Sequence, residues 1–136
     1  MSRALVEVVA ARLESQVGPS RPVYRNAVPD DAAPRYLFVY SNTPGRTSDN
    51  LGDVATMRDS TVWVNSTAVG PRVQATDESM WGMERAVAAL EDWRPTIGAI
   101  SWKPNNLSSQ PPQRDQSLPE VTVIYTVSTW GFTYQP

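Results

Sequence analysis

Cysteine and histidine are both absent from these 136 residues, and lysine occurs once, at Lys103. Without thiols or imidazoles the chain has no route to disulfides, to zinc sites of the thiolate or imidazole kind, to a thiol nucleophile or to an imidazole general base. Long apolar runs are lacking too. Leu5 to Ala11 is broken by Glu7 and followed by Arg12 and Glu14, and no stretch approaches the ~20 apolar residues that span a bilayer. No targeting segment is expected, and the reading is of a soluble protein made inside the cell, with no membrane partner. Charge of one sign is also scarce. The net charge is -2, and the arginines run from Arg3 to Arg114 without a cluster or stripe, whereas a surface that neutralises phosphates needs grouped positive charge. Specific nucleic-acid recognition is therefore not expected.

Carboxylates remain as the acid–base groups, and they occur as Asp30-Asp31, Asp77-Glu78 and Glu91-Asp92. Sequence neighbours point in different directions on an element, and a hydrolytic pair must be held ~5–9.5 Å apart across a cleft. Nothing in the chain selects two such groups. Asp49-Asn50-Leu51-Gly52-Asp53 has the flavour of an acidic loop but lacks the spaced ligands and closing Glu of a calcium loop. The Gly-x-Ser-x-Gly elbow, the Walker phosphate loop and the Gly-x-Gly-x-x-Gly fingerprint are missing. No catalytic, cofactor-binding or metal-binding residue is expected.

What the chain does contain is an ordered series of amphipathic segments. Its length suits one domain over residues 1–136, and 40% hydrophobic residues with alternating aromatics argue against disorder. Leu5, Val9, Leu13 and Val17 form one helical stripe, which Val6 and Ala10 widen. Ser2 is placed to cap this helix, Arg3 and Glu7 to pair along it, and Gly18-Pro19 to stop it near Val17. Val23 to Arg25 reads as a short strand. Tyr36 to Ser41 alternates, with Leu37 and Val39 on one face and Tyr36, Phe38 and Tyr40 on the other. Thr61 to Thr67 repeats the pattern, Val62 and Val64 against Trp63 and Asn65.

After Gly70-Pro71, the residues Val73, Thr76, Met80, Met83, Val87 and Leu90 recur at helical spacing and are expected to make the apolar face of a second helix that ends before Trp93-Arg94-Pro95. Met80 and Met83 are assigned to packing, and Trp81 stays unassigned. Ile97 to Trp102 is a further candidate strand. A long strand runs from Val121 onward, with Gly131 marking a possible bulge or bend. Two long connections, near 42–60 and 103–119, read as polar loops.

The expected fold is α+β: a mixed, mainly antiparallel sheet with two helices packed on the face that carries Leu37, Val39, Val62 and Val64. The large rings of Tyr36, Phe38, Tyr40 and Trp63 then gather on the opposite face. At ~150–250 Å² each, the four could sum to ~600–1,000 Å², against a usual largest exposed apolar patch of ~300–600 Å². These four are the candidate subunit or partner interface, unless another part of the chain folds over them.

In the order of these segments the chain resembles the tail terminator, or tail-completion, proteins of long-tailed bacteriophages. The likeness spans nearly the whole sequence: the apolar N-terminal helix, Val28-Pro29 leading to Tyr36-Leu37-Phe38-Val39-Tyr40, the polar connection, Val62-Trp63-Val64, Gly70 with the helix closing on Val87-Ala88-Ala89-Leu90, then Arg114-Asp115 and Val121 to Tyr125. The resemblance implies a non-catalytic subunit, assembled in the host cytoplasm, that forms a ring of its own copies, expected as a hexamer. That ring would sit at the tail–neck junction of the virion, cap the tail tube protein, end its polymerisation and dock the head–tail connector or head-completion protein. A neck or head-completion protein of the same virion, and a small-ligand-binding α+β domain, are the alternatives.

Overall fold

The computed structural model describes residues 2–42, 45–47, 57–117 and 121–135. Helix α1, Ser2–Val17, forms as expected: Leu5, Val6, Val9, Ala10, Leu13 and Val17 are all buried. Gly18 ends it at φ +64, a left-handed turn that suits glycine. The capping side chain expected at Ser2 lies outside the described side chains. Glu7 does not take the expected Arg3. It pairs at 3.0 Å with Arg25, which also holds Glu14, so the outer side of α1 is tied to the first strand. Two carboxylates and their hydrogen bonds raise the Arg25 pKa.

The strands are β1 (Val23–Arg25), β2 (Arg35–Ser41), β3 (Gly45–Thr47), β4 (Met57–Val69), β5 (Ile100–Ser101), β6 (Asn105–Ser109), β7 (Gln113–Arg114) and β8 (Val123–Gln135). They form one eight-stranded sheet in the order β1-β2-β4-β8-β5, with β3 on β4 and β6 and β7 on β8. Only β1 with β2 is parallel among these pairings, so the sheet is mixed and mainly antiparallel. Its spine is β4 against β8, thirteen residues each, in register from Arg58 opposite Tyr134 to Val69 opposite Val123. Among the described residues no helix is long and apolar enough to cross a membrane.

Both helices lie on one face, over a core of Leu37 and Val39 from β2, Val62 and Val64 from β4, and Trp130 and Phe132 from β8. This is the expected face. Leu13 is fully buried within it, and Leu13→Ala is expected to cost about 2–5 kcal/mol through lost transfer energy and a residual cavity. An unchanged melting transition would contradict that placement.

Helix α2, Arg72–Leu90, presents a different side from the one its hydrophobic pattern suggests. The buried residues are Ala75, Ser79, Gly82, Met83, Ala86, Ala89 and Leu90, while Val73 is 78% and Met80 41% exposed. Close approach to the sheet is the reason. A Cβ at Gly82 would stand 2.3 Å from Ser66 Oγ and 2.8 Å from Arg21 Nη1. Ser66 Oγ donates to the Ser79 carbonyl at 2.7 Å, Ser79 Oγ lies 2.8 Å from the Ser66 carbonyl, and Ser79 Oγ meets Thr126 Oγ1 at 2.8 Å. Small side chains and reciprocal hydroxyl bonds win this interface over larger apolar ones. Gly82→Ala is therefore expected to destabilise by about 1–3 kcal/mol through overpacking, despite the ~1 kcal/mol that alanine gains in an isolated helix. A gain in the denaturant midpoint would show that the sheet can yield there.

The long connections are also partly strand. The 42–60 segment contains β3 and the start of β4, and the acidic 49–53 stretch falls outside the described residues. The expected strand at 97–102 shrinks to Ile100–Ser101, and the 103–119 loop carries β6 and β7 along the free edge of β8. Once β4 occupies one side of β8, its other row of backbone donors and acceptors needs partners. The irregularity expected at Gly131 sits on the facing strand instead: the register shifts between Asn106 and Ser108, and Leu107 comes within 3.4 Å of the position a Gly131 Cβ would take.

Candidate assembly surface

Strand alternation carries every second side chain of β2 and β4 to the face opposite the helices. Tyr36, Phe38 and Tyr40 arrive there from β2, with Trp63 from β4. Tyr40 stands directly opposite Trp63 in the register, and their rings stack at 5.3 Å with planes 9° apart. Phe38 stacks on Tyr40 at 5.0 Å and 29°. Tyr36 joins a different pair, tilted at 57° against Tyr24 of β1 at 5.3 Å. The structure thus brings all four expected residues to one face, three of them in one stack. It adds Tyr24, whose strand was expected but whose side chain was not singled out.

All five rings are half-buried. Partial burial raises the Tyr40 pKa, because a phenolate there would lose solvation. Rings locked against one another lose little entropy on meeting a partner, and each stacked pair is worth about 0.5–1.5 kcal/mol beyond its area. On the same face, β8 contributes Tyr125 opposite Thr67 and Val127 opposite Asn65. Strands β5 to β7 pair edge-on with β8, extending the sheet sideways rather than roofing these rings.

A second apolar feature lies on the helix side and was not expected. Met80, Met83, Val87 and Ala88 of α2 face Pro111 and Pro112 across a groove of about 550 Å³, rimmed by Glu84 and Glu91. Met80 had been assigned to core packing; the close approach of α2 through its small residues leaves it in this groove. Ile100 and Trp102 are 50% and 41% exposed near the end of the sheet, Ile100 beside Arg94 and Trp102 beside Arg94 and Lys103.

Trp81, left unassigned by the sequence, has two guanidinium groups over its ring: Arg21 at 4.5 Å and Arg85 at 5.0 Å from its centroid. Arg21 is itself buried and donates to the Glu78 carbonyl at 3.0 Å. Desolvation, then the Arg35 charge, lowers its pKa. Cation–π contacts explain why an indole sits at this edge of α2. Glu78 is held by Arg35 at 3.0 Å, and Asp92 lies 3.6 Å from Lys103. These members of the acidic pairs act in ion pairs on the surface. Among the described residues no group of three or more acidic side chains is placed to hold a metal ion.

No protein-family model matches the sequence, and no curated protein matches it. A solved structure does. The chain is similar to one from the virion of a native gene transfer agent particle, with a TM-score of 0.60 and 14% sequence identity, over 96% of this chain and 95% of that one. The two chains share a fold from end to end. At that identity the likeness speaks for the backbone arrangement, and the neighbour's place in a particle belongs to the neighbour.

Proposed function

We propose that this protein is a structural component of a phage-like virion: a tail terminator that caps the finished tail tube as a ring of its own copies, ends tube growth and offers the docking surface for the head–tail connector. The observation that carries the reading is the end-to-end fold likeness to a chain of a gene transfer agent virion. It agrees with the order of segments by which the sequence resembles tail terminators, and neither chain leaves a large unmatched part. The aromatic face supplies a contact surface suited to ring or tube partners. The mildly acidic chain, without a basic stripe, suits a ring that DNA crosses without being held.

The reading assigns no reaction to the chain. It rests there on residue types: no imidazole, no thiol, and Glu78 and Asp92 engaged in ion pairs at the surface. Chelators should accordingly leave assembly unchanged, and unit-stoichiometry metal binding would count for an enzyme instead. The deciding experiment is negative-stain imaging of the purified protein, alone and mixed with tail tubes of its own virion. Rings at one tube end, with tubes no longer elongating, are the expected result. Rings that ignore tubes but bind head connectors would move the protein to the neck. Failure to engage either would overturn the reading.

A further inference from the structure

We propose that the acidic-rimmed groove beside α2 receives the Ile100–Trp102–Lys103 corner of a second copy, so that copies join head to tail. This rests on the ring reading above and supplies the contact that would build the ring. The groove has apolar walls, Met80, Met83, Val87 and Ala88 on one and Pro111 and Pro112 on the other. Methionine side chains adapt their shape to an inserted ring. Glu84 and Glu91 stand on the rim, and neither has an ion-pair partner among the described residues.

The proposed occupant is complementary in both respects. Ile100 and Trp102 belong to the exposed large apolar side chains of the described residues. Arg94 and Lys103 share one surface depression with Trp102, and the nearby Asp92 offsets only one of these two positive charges. An exposed indole flanked by cations matches an apolar slot flanked by carboxylates, and buried tryptophan with surrounding charge is a common anchor of protein interfaces.

Placement decides how such a contact propagates. Thr126, near the start of β8, lines the groove, whereas Ser101 pairs with Tyr134 near its end. Eight residues of strand separate that far end of the groove from the corner, about 26 Å at the usual rise, while the near end, Glu91, adjoins Asp92, the ion-pair partner of Lys103. A surface patch and a socket at different places on one molecule make a heterologous interface. Each copy then uses its socket for one neighbour and its corner for the next, which closes into a ring when the rotation allows.

The absence of native cysteine makes the test direct. One preparation carries Ala88→Cys in the groove and another Ile100→Cys on the corner, with Gln16→Cys on the exposed side of α1 as control. Oxidised with diamide, the mixture of the first two should give disulfide-linked dimers at least tenfold above either mixture with the control. A chain carrying both cysteines should give a ladder whose last step counts the ring. Trp102→Glu, checked for folding by circular dichroism, should abolish the cross-link. Glu84→Lys with Glu91→Lys should weaken it, and Arg94→Glu with Lys103→Glu in the partner should restore it. The reactions are run in concentrated solution and on tail tubes. No link between positions 88 and 100 under either condition, or a link indifferent to Trp102→Glu, overturns the contact. Capped tubes without the link would remove this contact and leave the terminator reading standing; a ladder on protein that never engages tubes would do the reverse.

Discussion

Trp130→Ala is expected to lower the stability of the fold by about 3–5 kcal/mol, the usual cost of truncating a buried indole. Trp130 is 1% exposed and sits in the middle of the sheet, with Val62 of β4 on one side and Asn106 of β6 on the other. Its indole nitrogen donates to Ser128 Oγ at 2.9 Å inside the core. The substitution therefore opens a cavity beneath both helices and removes a partner from a buried hydroxyl. A domain of this size is held by only about 5–15 kcal/mol, so a loss of this order takes a large share of the whole. Urea denaturation should show the midpoint falling with the slope unchanged, and Trp130→Phe should recover much of the loss. An unmoved midpoint would mean that the β8 register is wrong, because a one-residue slip would turn this side chain out of the core.

Trp63→Glu and Phe38→Glu are expected to leave a folded subunit that no longer assembles. Both rings are half-buried on the face opposite the helices, and neither belongs to the core cluster. Each substitution gives up one stacking contact, that with Tyr40, worth about 0.5–1.5 kcal/mol, which the fold should survive. At an interface the same carboxylate would be desolvated without a partner, at a cost of about 3–5 kcal/mol. That corresponds to association weaker by roughly a hundredfold or more. Sedimentation velocity and tube capping measure the assembly, and circular dichroism measures the fold. Normal assembly of the substituted protein would exclude this face as an interface. Unfolding would instead place the rings in the core. Because the groove beside α2 lies on the other side of the sheet, the effects of substitutions in the two regions on folding stability should add, and combining them tests that.

The sequence by itself determined the elements whose burial follows hydrophobic pattern. The α1 stripe from Leu5 to Val17, the Gly18 stop, and the two-faced strands at 36–41 and 61–67 came from period and turn chemistry alone. So did the common face of Tyr36, Phe38, Tyr40 and Trp63, because alternation fixes which side chains share a side once the strands pair. Tertiary structure decided what depends on distance between elements. Helix α2 turned its small residues to the sheet because Ser66, Arg21 and Leu37 stand too close for larger ones, and a scale of apolarity ranks Val73 and Met80 above the serine, alanine and glycine that pack there. The polar 103–117 segment became an edge of the sheet because the backbone of β8 needed partners. All five β6 side chains are exposed, so no alternation existed for the sequence to display. Trp81 found its role only when folding brought Arg21 from a distant part of the chain over the ring that Arg85 also meets. Local pattern records which side of an element is apolar, while the closeness of approach and the pairing of free backbone edges are properties of the assembled fold.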